Sequence, residues 1–236
     1  MSKPAAVFEC QNCGYASAKW LGRCPDCGSW NSFVEEKRPK TANTSFVRRG
    51  NNKAMRLADV EIENTPRIET RNSEFDRVLG GGLVPGALVL IGGEPGAGKS
   101  TLLLQISGSL QGEGRRVLYV SGEESAQQIK IRADRLENLK GTAEGAAIGD
   151  IYLLAESNLE KILGAVEELQ PAAIVVDSVQ TAYSETLDSA PGSIGQVRLV
   201  AMQFLHIAKT RSLPVFLIGH ITKDGSIAGP KALEHI

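Results

Sequence analysis

The stretch of sequence that decides the fold runs Gly93-Glu-Pro-Gly-Ala-Gly-Lys-Ser100. It matches the pattern G-x4-G-K-[ST] in full, and it follows a predicted strand and opens a predicted helix, which is the context that a phosphate-binding loop requires. Its three glycines allow backbone N–H groups to curl inward around a phosphate, and the start of the helix adds a partial positive charge. The residues expected to contact a nucleotide are Gly93, Glu94, Pro95, Gly96, Ala97, Gly98, Lys99, Ser100 and Thr101.

The same motif assigns ATP and Mg²⁺ to this site. Lys99 is expected to reach the β- and γ-phosphates, and the Ser100 hydroxyl to ligate Mg²⁺. Asp177 closes the apolar run AIVVD, as is typical of the acid that holds Mg²⁺ through water beside such a loop. Because many buried strands end in Asp by chance, this interpretation of Asp177 depends on the loop upstream.

Hydrolysis of ATP also needs a carboxylate that activates water. Glu123 and Glu124 directly follow the run VLYVS, at the edge of the predicted sheet where ligands gather. We expect at least one of them, with Glu123 favoured, to be catalytic together with Lys99; alternatively, both acids only favour the N-terminus of the next helix. His220 follows PVFLIG and is either a γ-phosphate sensor or a hydrogen-bonded histidine at a strand end, whereas His206 is expected to be structural.

Short apolar runs alternate with amphipathic segments beyond residue 59. The runs cover 87–92, 117–121, 151–154, 173–177 and 214–219, and helices are expected near 99–112, 124–138, 158–169 and 192–211. This alternation predicts an α/β fold with a mostly parallel sheet that is buried on both faces. Ser157 and Glu160 have the spacing of a capping box at the start of the third helix.

Composition divides the chain into three regions, namely 1–36, a basic linker at 37–58, and an ATPase domain at 59–236. The linker contains seven Lys or Arg residues and no acid, although the net charge of the chain is −1. A basic tether fits contact with nucleic acid, and a solvated linker fits equally well. No apolar run is long enough to cross a bilayer and no secretory signal is visible, so we expect a cytoplasmic protein without a membrane partner.

All four cysteines lie in the first region, as two C-x2-C knuckles separated by ten residues. They are Cys10, Cys13, Cys24 and Cys27. Four thiolates around one ion form a closed shell, which predicts a structural Zn²⁺ in a small zinc finger. Iron in a rubredoxin-like site is the chemical alternative, and disulfides fit so confined a cluster less well. Trp20 and Trp30 are expected to cover the site by packing, although they could also stack on a base.

The phosphate loop, the acid pair and the strand ending in Asp177 together resemble the RecA-like ATPase superfamily. Two further stretches, EFDRVLGGGLVPG at 74–86 and HITKDG at 220–225, resemble its RadA and KaiC branches. A four-cysteine finger ahead of such a core is similar to the bacterial RadA (Sms) family. This resemblance implies a DNA-dependent ATPase of DNA repair that forms homo-hexamers and promotes branch migration of recombination intermediates. Single-stranded or branched DNA is then the expected partner, and a recombinase is a further candidate.

The same resemblance implies roles for individual residues. Glu123 takes the position of the catalytic glutamate and His220 that of the sensor. Gln196 and Arg198 lie in a stretch, 192–198, where such proteins carry a DNA-facing loop, so they are candidate DNA contacts. Members of the family continue with a Lys-Asn-Arg-Phe-Gly motif and a Lon-protease-like domain, which this sequence lacks, so the resemblance implies a truncated chain.

Two other functions stay open on the sequence alone. A KaiC-like signalling ATPase would share the core without using DNA, but the zinc finger and the basic linker argue against it. A nucleotide-gated binding module would bind ATP without productive turnover. A RecA-type filament recombinase lacks such a finger, and a DnaB-type helicase begins with a helical domain, so both fit less well.

Overall fold

The computed structural model describes residues 6–37, 56–59, 66–111, 115–140, 148 and 151–220. Most of the predicted basic linker and the stretch from 221 onward therefore lie outside the described residues. The N-terminal segment forms a small antiparallel sheet of three strands, β1 (Ala6–Cys10), β2 (Ala16–Ser17) and β3 (Phe33–Lys37), in the order β2-β1-β3.

A second, larger sheet lies at the centre of the region from residue 66 to residue 220. Its strands are β4 (Leu88–Gly93), β5 (Val117–Ser121), β6 (Tyr152–Ala155), β7 (Ala173–Asp177) and β8 (Val215–His220). They are all parallel, in the order β4-β8-β7-β5-β6. The α/β fold predicted from the sequence is confirmed, and each of these strands begins and ends within one residue of its expected bounds.

Helices flank the larger sheet. They are α1 (Ser73–Val78), α2 (Lys99–Leu110), α3 (Ala126–Lys140), α4 (Leu159–Leu169) and α5 (Ile194–Arg211), and a 3-10 turn precedes them at Leu57–Asp59. The short helix α1 was not predicted, whereas the other four lie within two residues of their expected bounds. Within the described ranges, no helix combines the length and the apolar content that a membrane span needs.

The core has two layers, one on each face of the sheet. On β7, Ile174 and Val176 pack with α4 and α5, whereas Val175 packs on the opposite face with α2 and α3. Every residue of β5 and β7 is buried. Because side chains of these central strands alternate between two covered faces, the strands are largely apolar, as the sequence indicated. The edge strand β6 is mostly exposed, so the expectation that it is buried on both faces is wrong.

The predicted capping box at the start of α4 is wrong. The N-cap is Asn158, whose side chain accepts a hydrogen bond from the backbone N–H of Lys161 at 3.0 Å. Glu160 does not reach back to the cap; its carboxylate accepts a hydrogen bond from the Ser184 hydroxyl at 2.5 Å. The Glu160 carboxylate, which the local pattern had assigned to the helix N-terminus, thus bonds to a residue 24 positions away in the sequence.

Strand register brings the ends of four strands to one edge of the sheet. Ser121 pairs with Asp177 across β5 and β7, and Gly93 pairs with His220 across β4 and β8. The carboxyl ends of β4, β5, β7 and β8 therefore lie along the same edge of the sheet. In open parallel sheets this edge is where ligands bind, so it defines the region of the candidate site.

Candidate nucleotide and metal sites

The phosphate loop joins the end of β4 to the start of α2. Gly96 and Gly98 have φ values of 81° and 85°, in the left-handed region that favours glycine. A Cβ at either position would meet no atom within 4 Å, so backbone conformation rather than crowding requires these glycines. Gly98 is the N-cap of α2 and brings no side chain to cap it, which leaves the first N–H groups of the helix free to bind an anion.

Lys99 lies inside this loop. Its ammonium donates hydrogen bonds to the backbone carbonyls of Gly93 and Glu94, both at 2.8 Å, and only 8% of the residue is exposed. A Cβ on Gly93 would stand 3.3 Å from Cδ of Lys99, so this glycine makes room for the lysine stem. The loop therefore holds a positive charge where the predicted phosphate groups would enter.

Asp177 is fixed by a partner that the sequence did not indicate. The hydroxyl of Tyr119 on β5 donates a hydrogen bond to Oδ2 of Asp177 at 2.8 Å, and both residues are buried. Burial and the adjacent carboxylate raise the pKa of Tyr119, so its hydroxyl stays protonated as a donor. The Ser100 hydroxyl also interacts with Tyr119. Carboxylate and hydroxyl oxygens thus lie together, and this donor set fits the hard cation Mg²⁺.

Glu123 and His220 meet at the sheet edge. Oε1 of Glu123 accepts a hydrogen bond from the Ser178 hydroxyl at 2.5 Å and lies 2.9 Å from Nε2 of His220. Partial burial opposes ionisation of Glu123, but these contacts outweigh it and hold the pKa of the carboxyl below its usual value. Glu123 is therefore an oriented, ionised carboxylate beside the phosphate loop.

Glu124 has a different environment from its neighbour. Its carboxylate forms an ion pair with Arg132 of α3. The structure thus separates the two acids that the sequence treated together, because one faces β7 and β8 and the other faces the next helix. Among the described residues, the Glu123 side chain contacts Ser178 and His220 at the ends of β7 and β8, whereas Glu124 reaches the strand ends only through its backbone N–H, which donates to the Ser121 hydroxyl.

A cavity of about 250 Å³ lies beside the phosphate loop, between α2 and α3. It is lined by Thr101, Gln128, Ile131, Arg132, Arg135 and Leu136. Thr101 follows Ser100 directly, so the cavity adjoins the predicted phosphate site. The side chain of Ile131 is exposed here, which provides an apolar surface next to two guanidinium groups.

The two candidate DNA contacts have different surroundings. Gln196 is 1% exposed, and its amide bonds to backbone groups of the preceding loop at Ser184, Leu187 and Ser189 over distances of 2.8–3.3 Å. Its side chain therefore organises that loop and is not available to DNA in this arrangement. Arg198, two residues further along α5, is exposed.

The four cysteines of the N-terminal segment converge on one point. Their Sγ atoms all lie within 4.8 Å of one another, with 3.6 Å between Cys10 and Cys27 and 3.5 Å between Cys13 and Cys24. A tetrahedral metal with metal–sulfur bonds of about 2.3 Å would separate its sulfurs by about 3.8 Å, so the cluster fits such an ion. Hydrogen bonding to Ser29 and Asn12 lowers the pKa of Cys27 to about 5, which favours the thiolate that metals bind.

The tryptophans do not cover this cluster, so the prediction that they pack over it is wrong. Trp20 and Trp30 are 52% and 71% exposed, and Arg23 lies 5.7 Å from the ring of Trp30. The apolar cover comes instead from Phe33, which is buried against Cys10 and Cys24. Phe33 occupies the first position of β3, opposite Cys10, so sheet pairing places it there.

Comparison with known families finds a match for the N-terminal segment and another for the larger α/β region. A profile described as rubredoxin metal binding domain matches residues 8–35, and a profile described as AAA domain matches residues 52–226, well over half of the chain. The chain belongs to the AAA domain family. Its N-terminal module is a four-cysteine metal-binding ribbon.

Individual proteins similar to this chain indicate its family more narrowly. The chain is 50% identical over its whole length to the DNA repair protein RadA of Halalkalibacterium halodurans, 48% to that of Bacillus subtilis and 49% to that of Campylobacter jejuni. The resemblance to the RadA family drawn from the sequence is thereby confirmed. The chain spans about half the length of these relatives, 51–52%.

We predict that the ribbon binds one metal ion through all four cysteines. Purified chain should contain one zinc per molecule by elemental analysis, and Cys13→Ser should lose most of it because three sulfurs leave the shell open. Ser17→Ala, on β2 away from the thiols, is the matched control and should keep its zinc. If the analysis finds one iron per chain, the resident ion is iron and not zinc. If freshly reduced protein contains no metal, the prediction is wrong.

We also predict that Tyr119 contributes to stability through Asp177. Tyr119→Phe removes the hydroxyl and leaves a buried carboxylate oxygen without its donor, which should cost about 1–3 kcal/mol of unfolding free energy. Chemical denaturation followed by circular dichroism measures this loss. Tyr152→Phe, at a half-exposed position on the edge strand β6, is the control and should change little. Equal stability of the two variants would contradict the role given to the hydrogen bond.

Proposed function

We propose that the chain is an ATP-hydrolysing domain whose turnover responds to DNA in recombinational repair. The observation that carries the proposal is the convergence of Lys99, Asp177 and Glu123 at one edge of the parallel sheet, each held by a partner. Nucleotide binding alone needs the loop and its lysine. An ionised carboxylate held beside them supports hydrolysis as well.

The phosphates of ATP would bind in the loop between β4 and α2. Backbone N–H groups at the start of α2 would contact the phosphate oxygens, and the Lys99 ammonium would offset the charge of the β- and γ-phosphates. Ser100 and Asp177 would hold Mg²⁺, which when bound bridges phosphate oxygens and neutralises their charge. The cavity between α2 and α3 is open to the nucleoside, with Ile131 as an apolar surface for the base.

Glu123 would act as the general base. Its Oε1 is occupied by Ser178 and His220, and Oε2 has no hydrogen-bond partner among the described residues. A water that donates to Oε2 would be oriented for attack on the γ-phosphorus, and its proton would pass to that oxygen. His220, in contact with the base, would sense the γ-phosphate through the same carboxylate. Glu124 is less suited, because its charge is already paired with Arg132.

The DNA part of the proposal rests on the relatives and on α5. The three relatives described above are all DNA repair proteins named RadA. Arg198 presents an exposed guanidinium on α5, and the loop before that helix is organised by Gln196. We propose that Arg198 contacts the phosphates of single-stranded or branched DNA. Branch migration, assembly into a homo-hexamer and a recombinase partner follow from the resemblance, and we extend the proposal to them on that ground.

Glu123→Gln separates hydrolysis from binding. It keeps the size of the side chain but removes the base, so turnover should fall about a hundredfold or more. ATP affinity, measured by titration calorimetry, should change little. Glu124→Gln tests the other carboxylate and should retain most turnover, and Glu168→Gln on the exposed side of α4 is the matched control. Undiminished turnover in Glu123→Gln would reassign the base. Wild-type binding without any turnover would favour a nucleotide-gated binding module.

DNA dependence is tested by measuring ATP turnover with and without single-stranded DNA at two salt concentrations. Stimulation should be strong at low salt and fade at high salt, because phosphate contacts release counterions. Arg198→Ala should weaken the stimulation while leaving turnover without DNA unchanged. Turnover that is indifferent to DNA at both salt concentrations would support a KaiC-like ATPase instead.

A further inference from the structure

Ser178, the residue after Asp177, is the nearest hydroxyl donor to the carboxylate of Glu123. Its Oγ donates to Oε1 of Glu123 at 2.5 Å, and the serine is 1% exposed. We propose that Ser178 is a positioning residue that holds Glu123 in its hydrolytic orientation. This inference rests on the ATPase function proposed above, and it assigns a role to a side chain that no motif in the sequence indicated.

Both partners of this hydrogen bond are anchored to the sheet. The N–H of Gly122 donates to the carbonyl of Asp177 at 2.9 Å, which ties the residue before Glu123 to the residue before Ser178. On the other side, the N–H of Val179 donates to the carbonyl of Ile218 at 2.9 Å. The hydroxyl and the carboxylate are thus each fixed by backbone contacts, so their separation is set by strands β5, β7 and β8.

Ser178 complements His220 rather than duplicating it. Both contact the same oxygen of Glu123, but the histidine donates only when Nε2 carries a proton. A serine hydroxyl has a proton to donate at any pH in the physiological range. The Glu123 carboxylate therefore keeps one donor when His220 turns toward another partner, and Oε2 stays turned away from both donors.

The carbonyl of Ser178 connects this contact to the loop ahead of α5. Thr181 donates to it twice, from its hydroxyl at 2.8 Å and from its backbone N–H at 3.2 Å. A Cβ on Gly122 would stand only 2.3 Å from the Thr181 hydroxyl, so the two turns are in tight contact. A shift of the loop must then move Ser178, and with it the carboxylate that Ser178 holds.

Steady-state kinetics of the full chain test the proposal. Ser178→Ala should lower kcat about tenfold, the size expected for the loss of a hydrogen bond to a charged group, while KM for ATP stays within about twofold. Ser178→Cys, which replaces the hydroxyl with a weaker donor on a larger sulfur atom, should fall between wild type and Ser178→Ala. Ser109→Ala, on α2 and away from the site, is the matched control.

A second measurement does not depend on turnover. The ¹³C carboxyl resonance of Glu123, identified by its absence in Glu123→Gln, should move in Ser178→Ala and stay in Ser109→Ala. Equal kcat and an unmoved resonance in Ser178→Ala would overturn the proposal, and so would a rise in KM with unchanged kcat. A moved resonance in a chain that never hydrolyses ATP would refute the proposed function while keeping the hydrogen bond. If Ser178→Ala does not fold, Ser178→Cys decides both readouts.

Discussion

The placement of β7 between β5 and β8 is the constraint on which the rest of the site depends. Asp177 pairs with Ser121 on one side, and Val176 pairs with Leu217 on the other. These pairings determine where Glu123, Ser178 and His220 emerge from the sheet. A slip of one residue would turn Asp177 to the opposite face and separate it from Tyr119. Both faces of β7 are buried in apolar layers, so ordinary core packing opposes such a slip. The same contacts that stabilise the fold therefore set the geometry of the site.

Short-range patterns explain why so much of the fold was accessible from the sequence. The glycines and the lysine of the phosphate loop act within eight residues, and their conformation follows from backbone sterics and helix polarity. Apolar runs of four to six residues predicted the strands, because the central strands of the sheet are covered on both faces. The spacing of the two C-x2-C pairs likewise predicts the metal-binding ribbon. In each case the residues that decide the structure are neighbours in the chain.

The parts that sequence reasoning missed depend on contacts between distant segments. Tyr119 and Asp177 are 58 positions apart, and Glu123 and Ser178 are 55 apart. Which strand lies beside which determines both pairs, and no local pattern carries that information. Gln196 was a candidate DNA contact because the resemblance places a DNA-facing loop at 192–198, yet its amide hydrogen-bonds to the backbone of a folded loop. Trp20 and Trp30 were expected to cover the cysteines because they lie near the second knuckle in the sequence, but Phe33 on the paired strand already occupies that position.

The carbonyl contacts of Lys99 have a consequence for how a nucleotide is held. Two of the three N–H donors of the ammonium bond to the carbonyls of Gly93 and Glu94 inside the loop. In the proposed function, a phosphate would therefore exchange one set of oxygens for another around a cation that is already largely buried. The net gain on such binding would then be the difference between these two sets of interactions. A lysine that waited in water would bind phosphate only after losing its hydration shell. Here the carbonyls of Gly93 and Glu94 already replace part of the hydration shell of Lys99, so the proposed phosphate would meet a lower desolvation cost.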